Sequence, residues 1–140
     1  MMEIKDNVLS NKKCKALIKT FDNSLNITPY FNRHRIPYTD THLIKTIAKK
    51  FKIKELLNPD YMEIVKWPNA SFMDPHYDTG DQYAAVAYLN EGYKGGETII
   101  NGKPVKPKTG RVVVFSSGKL KHSVAQVIKG PRYVVAIWYV

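Results

Sequence analysis

The chain has 140 residues, of which 44% are hydrophobic and 24% charged, a composition typical of one ordinary globular domain. No apolar run reaches the roughly 18–20 residues that a membrane span needs, so no membrane partner is expected. The net charge of +10 allows an acidic protein, an anionic metabolite or nucleic acid as a partner. Nucleic acid is not favoured, because the sequence contains no zinc-finger, RNA-recognition or helix-turn-helix pattern.

Cysteine content and the N-terminus bear on the compartment. Cys14 is the only cysteine, so no internal disulfide can form, which is typical of a reducing environment. The first ten residues lack the basic start, apolar core and small-residue cleavage site of a secretory signal. We therefore expect the protein in the cytoplasm of its producing or host cell. The sequence does not specify the oligomeric state.

Two amphipathic helices are predicted in the first third of the chain, each preceded by residues that can accept hydrogen bonds from a helix N-terminus. Their expected bounds are Ser10 or Asn11 to about Thr20, and Thr39 or Asp40 to about Leu57. The segment 29–38 between them contains two prolines and is expected to be irregular. Residues 1–60 are therefore predicted to be mainly helical.

From Tyr61 onward the pattern changes to short apolar runs separated by turns. The candidate strands are 61–67, 70–76, 82–90, 96–100, 103–106, 111–116, 121–127 and 132–140. Asn101-Gly102 is a strong signal for a two-residue hairpin turn. Eight short strands after helices predict a mainly β, α+β fold: a two-sheet jelly roll with helices packed on one sheet. We expect one domain, 1–140, with helical support in 1–60 and the core in 61–140.

A metal site is the main chemical prediction. Residues i and i+2 of a strand share a face, so His76 and Asp78 can point to one place, and His122 can complete a triangle of ligands. Two imidazoles and one carboxylate on one face suit Fe(II) and leave positions open. An H-x-D triplet alone is a weak signal, and His34 and His42, in basic and polar contexts, receive no chemical role.

Arg132 and Tyr88 strengthen the prediction. Arg132 lies on an otherwise apolar last strand and should be buried, where a guanidinium needs an anionic partner. Its planar fork matches a carboxylate in two-point contact. Tyr88 has the parity of Ala84 and Val86, which suggests an inward-facing phenol that could donate to the same anion. An exposed or internally paired arginine and a core tyrosine remain the alternatives.

Taken together, these residues resemble the Fe(II)- and 2-oxoglutarate-dependent dioxygenases, and among them the prolyl 4-hydroxylase-like family. The resemblance covers roughly residues 61–140, and it implies a double-stranded β-helix core. The motifs that carry it are Pro75-His76-Tyr77-Asp78, Tyr88-Leu89-Asn90, Gly95-Gly96-Glu97-Thr98, Val105-Lys106-Pro107-Lys108-Thr109-Gly110-Arg111, Val114-Phe115, His122, Gly130-Pro131-Arg132 and Trp138. One departure is Trp67, which stands where a tyrosine is common.

The resemblance implies a ligand set and a reaction. His76, Asp78 and His122 would hold Fe(II), and Arg132 would bind the distal carboxylate of 2-oxoglutarate with help from Tyr88. With O2, and with ascorbate as a further candidate cofactor, the expected reaction hydroxylates a C–H bond and releases succinate and CO2. The favoured target is a prolyl residue of a peptide or protein.

Other functions stay open from the sequence. One is a zinc hydrolase, although it leaves Arg132 unexplained and the H-E-x-x-H motif is absent. Another is a non-catalytic jelly-roll binding module, and a third is an oxygenase acting on nucleic acid or a small molecule. The loops 79–82 and 29–38 are candidates for lids or substrate walls, with Tyr30, Arg33 and Arg35 hypothesised to face the substrate.

Overall fold

The computed structural model describes residues 1–80 and 82–140, and it contains two α-helices, one 3-10 turn and thirteen strands. The helices are α1 (Asn11–Asp22) and α2 (Thr41–Phe51), and the 3-10 turn is Lys54–Leu57. The strands are β1 (Met2–Lys5), β2 (Thr28–Tyr30), β3 (Arg33–Pro37), β4 (Tyr61–Trp67), β5 (Met73–His76), β6 (Tyr83–Tyr88), β7 (Lys94–Gly95), β8 (Thr98–Ile100), β9 (Lys103–Val105), β10 (Val112–Phe115), β11 (His122–Val124), β12 (Val127–Lys129) and β13 (Arg132–Tyr139).

Both helices begin where the capping residues predicted. The Ser10 hydroxyl accepts from the Lys13 N–H at 3.1 Å, and the Asp40 carboxylate accepts from the Leu43 N–H at 3.0 Å. The second helix is shorter than expected. It ends at Phe51 because Lys52 adopts a left-handed conformation with φ 57°, and only the 3-10 turn follows.

Two antiparallel sheets form the predicted jelly roll. The major sheet has seven strands in the order β1-β10-β6-β13-β4-β3-β2, and the minor sheet has four in the order β5-β11-β8-β9. All eight predicted core strands are present, with bounds shifted by a few residues. The hairpin turn at Asn101-Gly102 is also confirmed, since both residues have positive φ as a type I′ turn requires.

The N-terminal part differs from the prediction in its strands. The segment 29–38 is not irregular: β2 and β3 form a hairpin that extends the major sheet beyond β4. Pro29 lies on the outermost strand, where a missing N–H breaks no ladder hydrogen bond to a further strand. The strand β1 was not predicted either, and it pairs with β10 at the opposite edge. The first 60 residues therefore also contribute three strands.

The helices pack on one face of the major sheet, as expected. Buried helix residues such as Leu17, Phe21 and Ile47 share one apolar cluster with Val112 and Val135 of the sheet. A second cluster lies between the two sheets. It opens at one end into a cavity of about 820 Å³.

Neither helix within the described ranges is long and apolar enough to cross a membrane.

Candidate active site

The three predicted metal ligands meet at the mouth of the inter-sheet cavity. His76 ends β5 and is the cross-strand partner of His122, the first residue of β11. Asp78 follows two residues after His76, and its Oδ1 lies 3.2 Å from the Nε2 atom of each histidine. One ligand atom from each of the three side chains lies within 4.8 Å of the others. The arrangement matches the triangle that the i, i+2 spacing predicted.

Backbone hydrogen bonds determine which imidazole nitrogen can bind a metal. His76 Nδ1 lies 2.8 Å from the carbonyl oxygen of Asp74, and His122 Nδ1 lies 2.8 Å from that of Leu120. Because a carbonyl only accepts, each Nδ1 carries the proton and donates it. Each Nε2 atom then faces Asp78 Oδ1 at the shared point, and it is the nitrogen that a metal ion would bind in place of a proton, as in metal-bound histidine. The residues present therefore fit a metal ion.

The surroundings of Asp78 favour the ionised form of its carboxylate. Burial raises the pKa of Asp78, but the hydrogen bond and charge of His122 outweigh it and hold that pKa below its ordinary value. Burial likewise lowers the pKa of His122, while the bond to Asp78 raises it by more. Asp78 Oδ2 is buried and has no hydrogen-bond partner among residues 1–80 and 82–140. That oxygen is available to a cation.

Arg132 supplies a buried positive charge in the same cavity. Its side chain is 1% exposed, as the apolar strand predicted, and Nη2 donates to Thr98 Oγ1 at 2.8 Å. The Tyr88 hydroxyl donates to the same Thr98 oxygen at 2.7 Å. In the described chain no carboxylate lies within 4.0 Å of Arg132, and its Nε and Nη1 atoms are buried without partners. The guanidinium lacks the anion that its burial requires.

Two residues near Arg132 were missed as site residues. The Tyr93 hydroxyl is buried and unpartnered among the described residues, and burial raises the pKa of Tyr93 to about 12. A Cβ at Gly96 would lie 3.3 Å from both Arg132 Cδ and Tyr93 Cε1, so glycine allows the two side chains to close over the backbone. Thr98 lies in a motif of the family resemblance and had no predicted role of its own. The two missed residues, Tyr93 and Thr98, flank the Gly95-Gly96 pair. This glycine pair is the sequence signal that could have identified them.

The hairpin side of the cavity combines arginines with aromatic rings. Trp67 is the cross-strand partner of Arg132, and its ring lies 4.7 Å from that guanidinium carbon and 4.5 Å from that of Arg33. Tyr30, Arg33 and Arg35 all line the cavity. Arg35 pairs with Glu63 at 3.4 Å. In the other candidate lid, 79–82, Asp81 lies outside the described residues.

Comparison with known families agrees with this geometry. Residues 62–140, more than half of the chain, match the family described as the 2OG-Fe(II) oxygenase superfamily. The chain belongs to this superfamily. The predicted resemblance is thereby confirmed, and the zinc-hydrolase alternative loses its basis. At the level of the family, the cofactors are Fe(II), 2-oxoglutarate and O2.

Curated relatives place the chain close to prolyl hydroxylases. Prolyl 3-hydroxylase 2 of Gallus gallus is 30% identical over 143 residues, which cover 92% of this chain and 20% of that protein. Prolyl 3-hydroxylase 2 of Homo sapiens is 40% identical over 92 residues, 60% of this chain and 12% of that protein. The chain thus spans about a fifth or less of the length of these two relatives.

Solved structures share the fold. A viral collagen prolyl hydroxylase from Paramecium Bursaria Chlorella virus-1, in complex with 2OG, matches with a TM-score of 0.75 at 21% identity, covering 98% of this chain and 93% of that one. A prolyl hydroxylase from Trichoplax adhaerens, bound to a peptide fragment of hypoxia inducible factor, matches with a TM-score of 0.79 at 15% identity, covering 99% and 82%. These matches confirm the double-stranded β-helix.

Proposed function

We propose that this protein is an Fe(II)- and 2-oxoglutarate-dependent dioxygenase that hydroxylates a prolyl residue in a peptide or protein. One observation carries the proposal: the Nε2 atoms of two imidazoles and a carboxylate converge at a cavity that also holds the buried Arg132, which lacks an acidic partner in the described chain. A metal and an anionic co-substrate together satisfy both features.

Each residue has a distinct role in this proposal. His76, Asp78 and His122 would hold the iron, which with 2-oxoglutarate and O2 supplies the oxidising power for hydroxylating an unactivated C–H bond. Arg132 would bind the distal carboxylate, supported through Thr98 by Tyr88. The apolar cluster between the sheets keeps water from this end of the cavity. Ascorbate as a cofactor stays a prediction.

A peptide substrate is supported by the open end of the cavity. Exposed aromatic side chains, among them Tyr30, Phe31 and Phe72, surround it and provide surfaces on which a pyrrolidine ring can pack. Curated relatives are named prolyl hydroxylases, and one structural neighbour holds a peptide fragment. A nucleic acid or small-molecule substrate is the alternative, and only the net charge favours the former. The cytoplasmic location stays a prediction.

The test combines product analysis with metal binding. We expect the purified protein, with Fe(II), 2-oxoglutarate and O2, to form succinate and to add one oxygen atom to proline-containing peptides, measured by mass spectrometry. His122→Ala should lose stoichiometric iron and all turnover, because it removes one of three ligands. His34→Ala, at an exposed histidine on β3, is the matched control and should retain both. Succinate formation that survives His122→Ala would disprove the assignment.

A further inference from the structure

A second buried guanidinium lies in the cavity wall and has no role in the function proposed above. Arg33 begins β3, lines the cavity and is 8% exposed. Of its five N–H groups, one donates to the Phe72 carbonyl oxygen at 3.1 Å through Nη1. Among residues 1–80 and 82–140, no carboxylate lies within 4.0 Å of it. Its charge is therefore not neutralised by an ion pair.

Aromatic rings hold this guanidinium in place. Its central carbon lies 4.5 Å from the Trp67 ring centroid, 5.4 Å from that of Tyr30 and 5.5 Å from that of Phe31. Cation–π contacts of this kind stabilise a desolvated arginine but leave the N–H groups in its plane free to bind an acceptor. Burial lowers the pKa of the Arg33 guanidinium, because desolvation disfavours its charged form.

The turn of the β2–β3 hairpin places an exposed aromatic ring beside Arg33. Phe31 has φ 53°, a left-handed conformation that is usual at the first position of a two-residue turn such as the one between β2 and β3. Its ring is 82% exposed and meets Tyr30 edge to face at 4.7 Å. The exposed ring at the cavity mouth offers apolar surface on which a ligand can pack.

The neighbouring Arg35 differs from Arg33 in having an acidic partner. Arg35 lies two residues along β3, lines the same cavity and stacks on Tyr30 at 3.9 Å. It already has an acidic partner, because its Nη1 lies 3.4 Å from Glu63 Oε1. Arg132 contacts the same Trp67 ring as Arg33. It donates a hydrogen bond to Thr98 and is assigned to the co-substrate. Of the three arginines that line the cavity in the described ranges, Arg33, near the exposed Phe31 and Phe72, remains for a ligand that enters from outside.

We propose that Arg33 binds a carboxylate of the substrate, supplied by an acidic side chain close to the hydroxylated prolyl residue. This inference rests on the proposed function and specifies its substrate as an acidic peptide. The guanidinium fork offers the two-point contact that a carboxylate accepts. The net charge of +10 favours association with an acidic partner over a basic one.

The first test compares peptides that differ in one residue. Wild-type protein should bind and hydroxylate a proline peptide with a neighbouring Glu about tenfold better than the same peptide with Gln, in both Kd and kcat/KM. Arg33→Gln should abolish the preference, and Arg33→Lys should keep part of it. Arg35→Gln is the matched control: it should retain the full preference, because Arg35 is already paired with Glu63. Affinity for 2-oxoglutarate should not change in Arg33→Gln.

Two further arms identify the source of the anion. A peptide without Glu but with a free C-terminal carboxylate is compared with its amide, and a short single-stranded DNA is tested as a competitor. Preference for Glu without an effect of the C-terminus or of DNA supports the proposal as stated. Preference for the free C-terminus alone, or competition by DNA alone, overturns it.

Binding is measured by fluorescence anisotropy under nitrogen, so that it does not depend on turnover. Equal Kd values of wild-type protein for the Glu and Gln peptides overturn this inference even if Arg33 variants fail to fold, because no variant is needed. Succinate formation with equal preference for both peptides would leave the proposed function intact and remove only the role of Arg33. Peptide binding with a Glu preference but no succinate would remove the proposed function instead.

Discussion

At the scale of single residues, the cavity is defined by charges that have no acidic partner in the described chain. Arg132 is the largest side chain that is less than 2% exposed. Arg33 contacts the same Trp67 ring as Arg132 does. An isolated buried charge destabilises a folded protein, and a ligand of opposite charge offsets that destabilisation when it binds. The two arginines therefore suit anionic ligands, and Asp78 suits a cation.

The role of Arg132 gives a direct prediction. We expect Arg132→Gln to raise the Kd for 2-oxoglutarate by about 10–100-fold, because a hydrogen bond to a charged group contributes about 1.5–3 kcal/mol. Calorimetry under nitrogen with Fe(II) measures this without turnover. Arg111→Gln is the control, since Arg111 pairs with Asp6 at 2.7 Å away from the cavity. An unchanged Kd in Arg132→Gln would show that the carboxylate binds elsewhere.

Sequence reasoning succeeded for residues whose relation is local or carried by a motif. The spacing of His76 and Asp78 determines a shared direction, and an arginine on an apolar strand implies burial. The contact of Arg33 with Trp67 could not be predicted, because it depends on β3 lying beside β4. Tyr93 was missed because its importance depends on the glycine backbone that lets it approach Arg132.

At the scale of elements, the core strands were predicted, whereas the two edge strands of the major sheet were not. Central strands such as β13 are buried on both faces and read as continuous apolar runs. The edge strands β1 and β2 are short and largely exposed, so they carry no such pattern. Proline in β2 and β3 signals irregular chain, but Pro29 lies on the edge strand β2 and Pro37 is the last residue of β3. Edge strands depend on the neighbour that they pair with, which sequence patterns do not reveal.

The start of α2 gives a pH-dependent prediction. Burial raises the pKa of Asp40, but hydrogen bonds from Lys13, from the Leu43 N–H and from Tyr38 outweigh it and lower that pKa from 3.8 to about 2. A lowered pKa means that the ionised carboxylate stabilises the folded state above about pH 4, and that this contribution is lost as the pH falls toward 2. Asp40→Ala should therefore cost about 1–2 kcal/mol at pH 7 and clearly less at pH 3.

Urea unfolding of wild type and variant at the two pH values measures this difference. Ser10→Ala is a matched control, because Ser10 caps α1 with a hydroxyl that does not titrate near these pH values. Its cost should be the same at pH 7 and pH 3. An equal cost of Asp40→Ala at both pH values would mean that capping geometry, and not the carboxylate charge, stabilises α2.

At the scale of the whole molecule, the site forms because the two faces of the major sheet pack against different elements. The helices cover one face of the major sheet, which leaves the other face to enclose a cavity with the minor sheet. The triad belongs to the minor-sheet side through β5 and β11, whereas Arg132 lies on β13 of the major sheet. A molecule that contacts both the metal and Arg132 must therefore bridge the two sheets.

This bridging predicts a stepwise gain in stability. A ligand that binds only the folded state at 100 times its Kd stabilises it by about 2.7 kcal/mol, which corresponds to a rise in Tm of about 10 °C for a domain of this size. Fe(II) alone should raise the Tm of the wild type, and 2-oxoglutarate should add a second rise. Arg132→Gln should keep the first rise and lose most of the second, and His122→Ala should lose both, because without iron only one end of the bridge remains. Scanning calorimetry under nitrogen measures the two increments. A full 2-oxoglutarate increment in Arg132→Gln would place the co-substrate on the minor sheet alone and contradict the bridged arrangement.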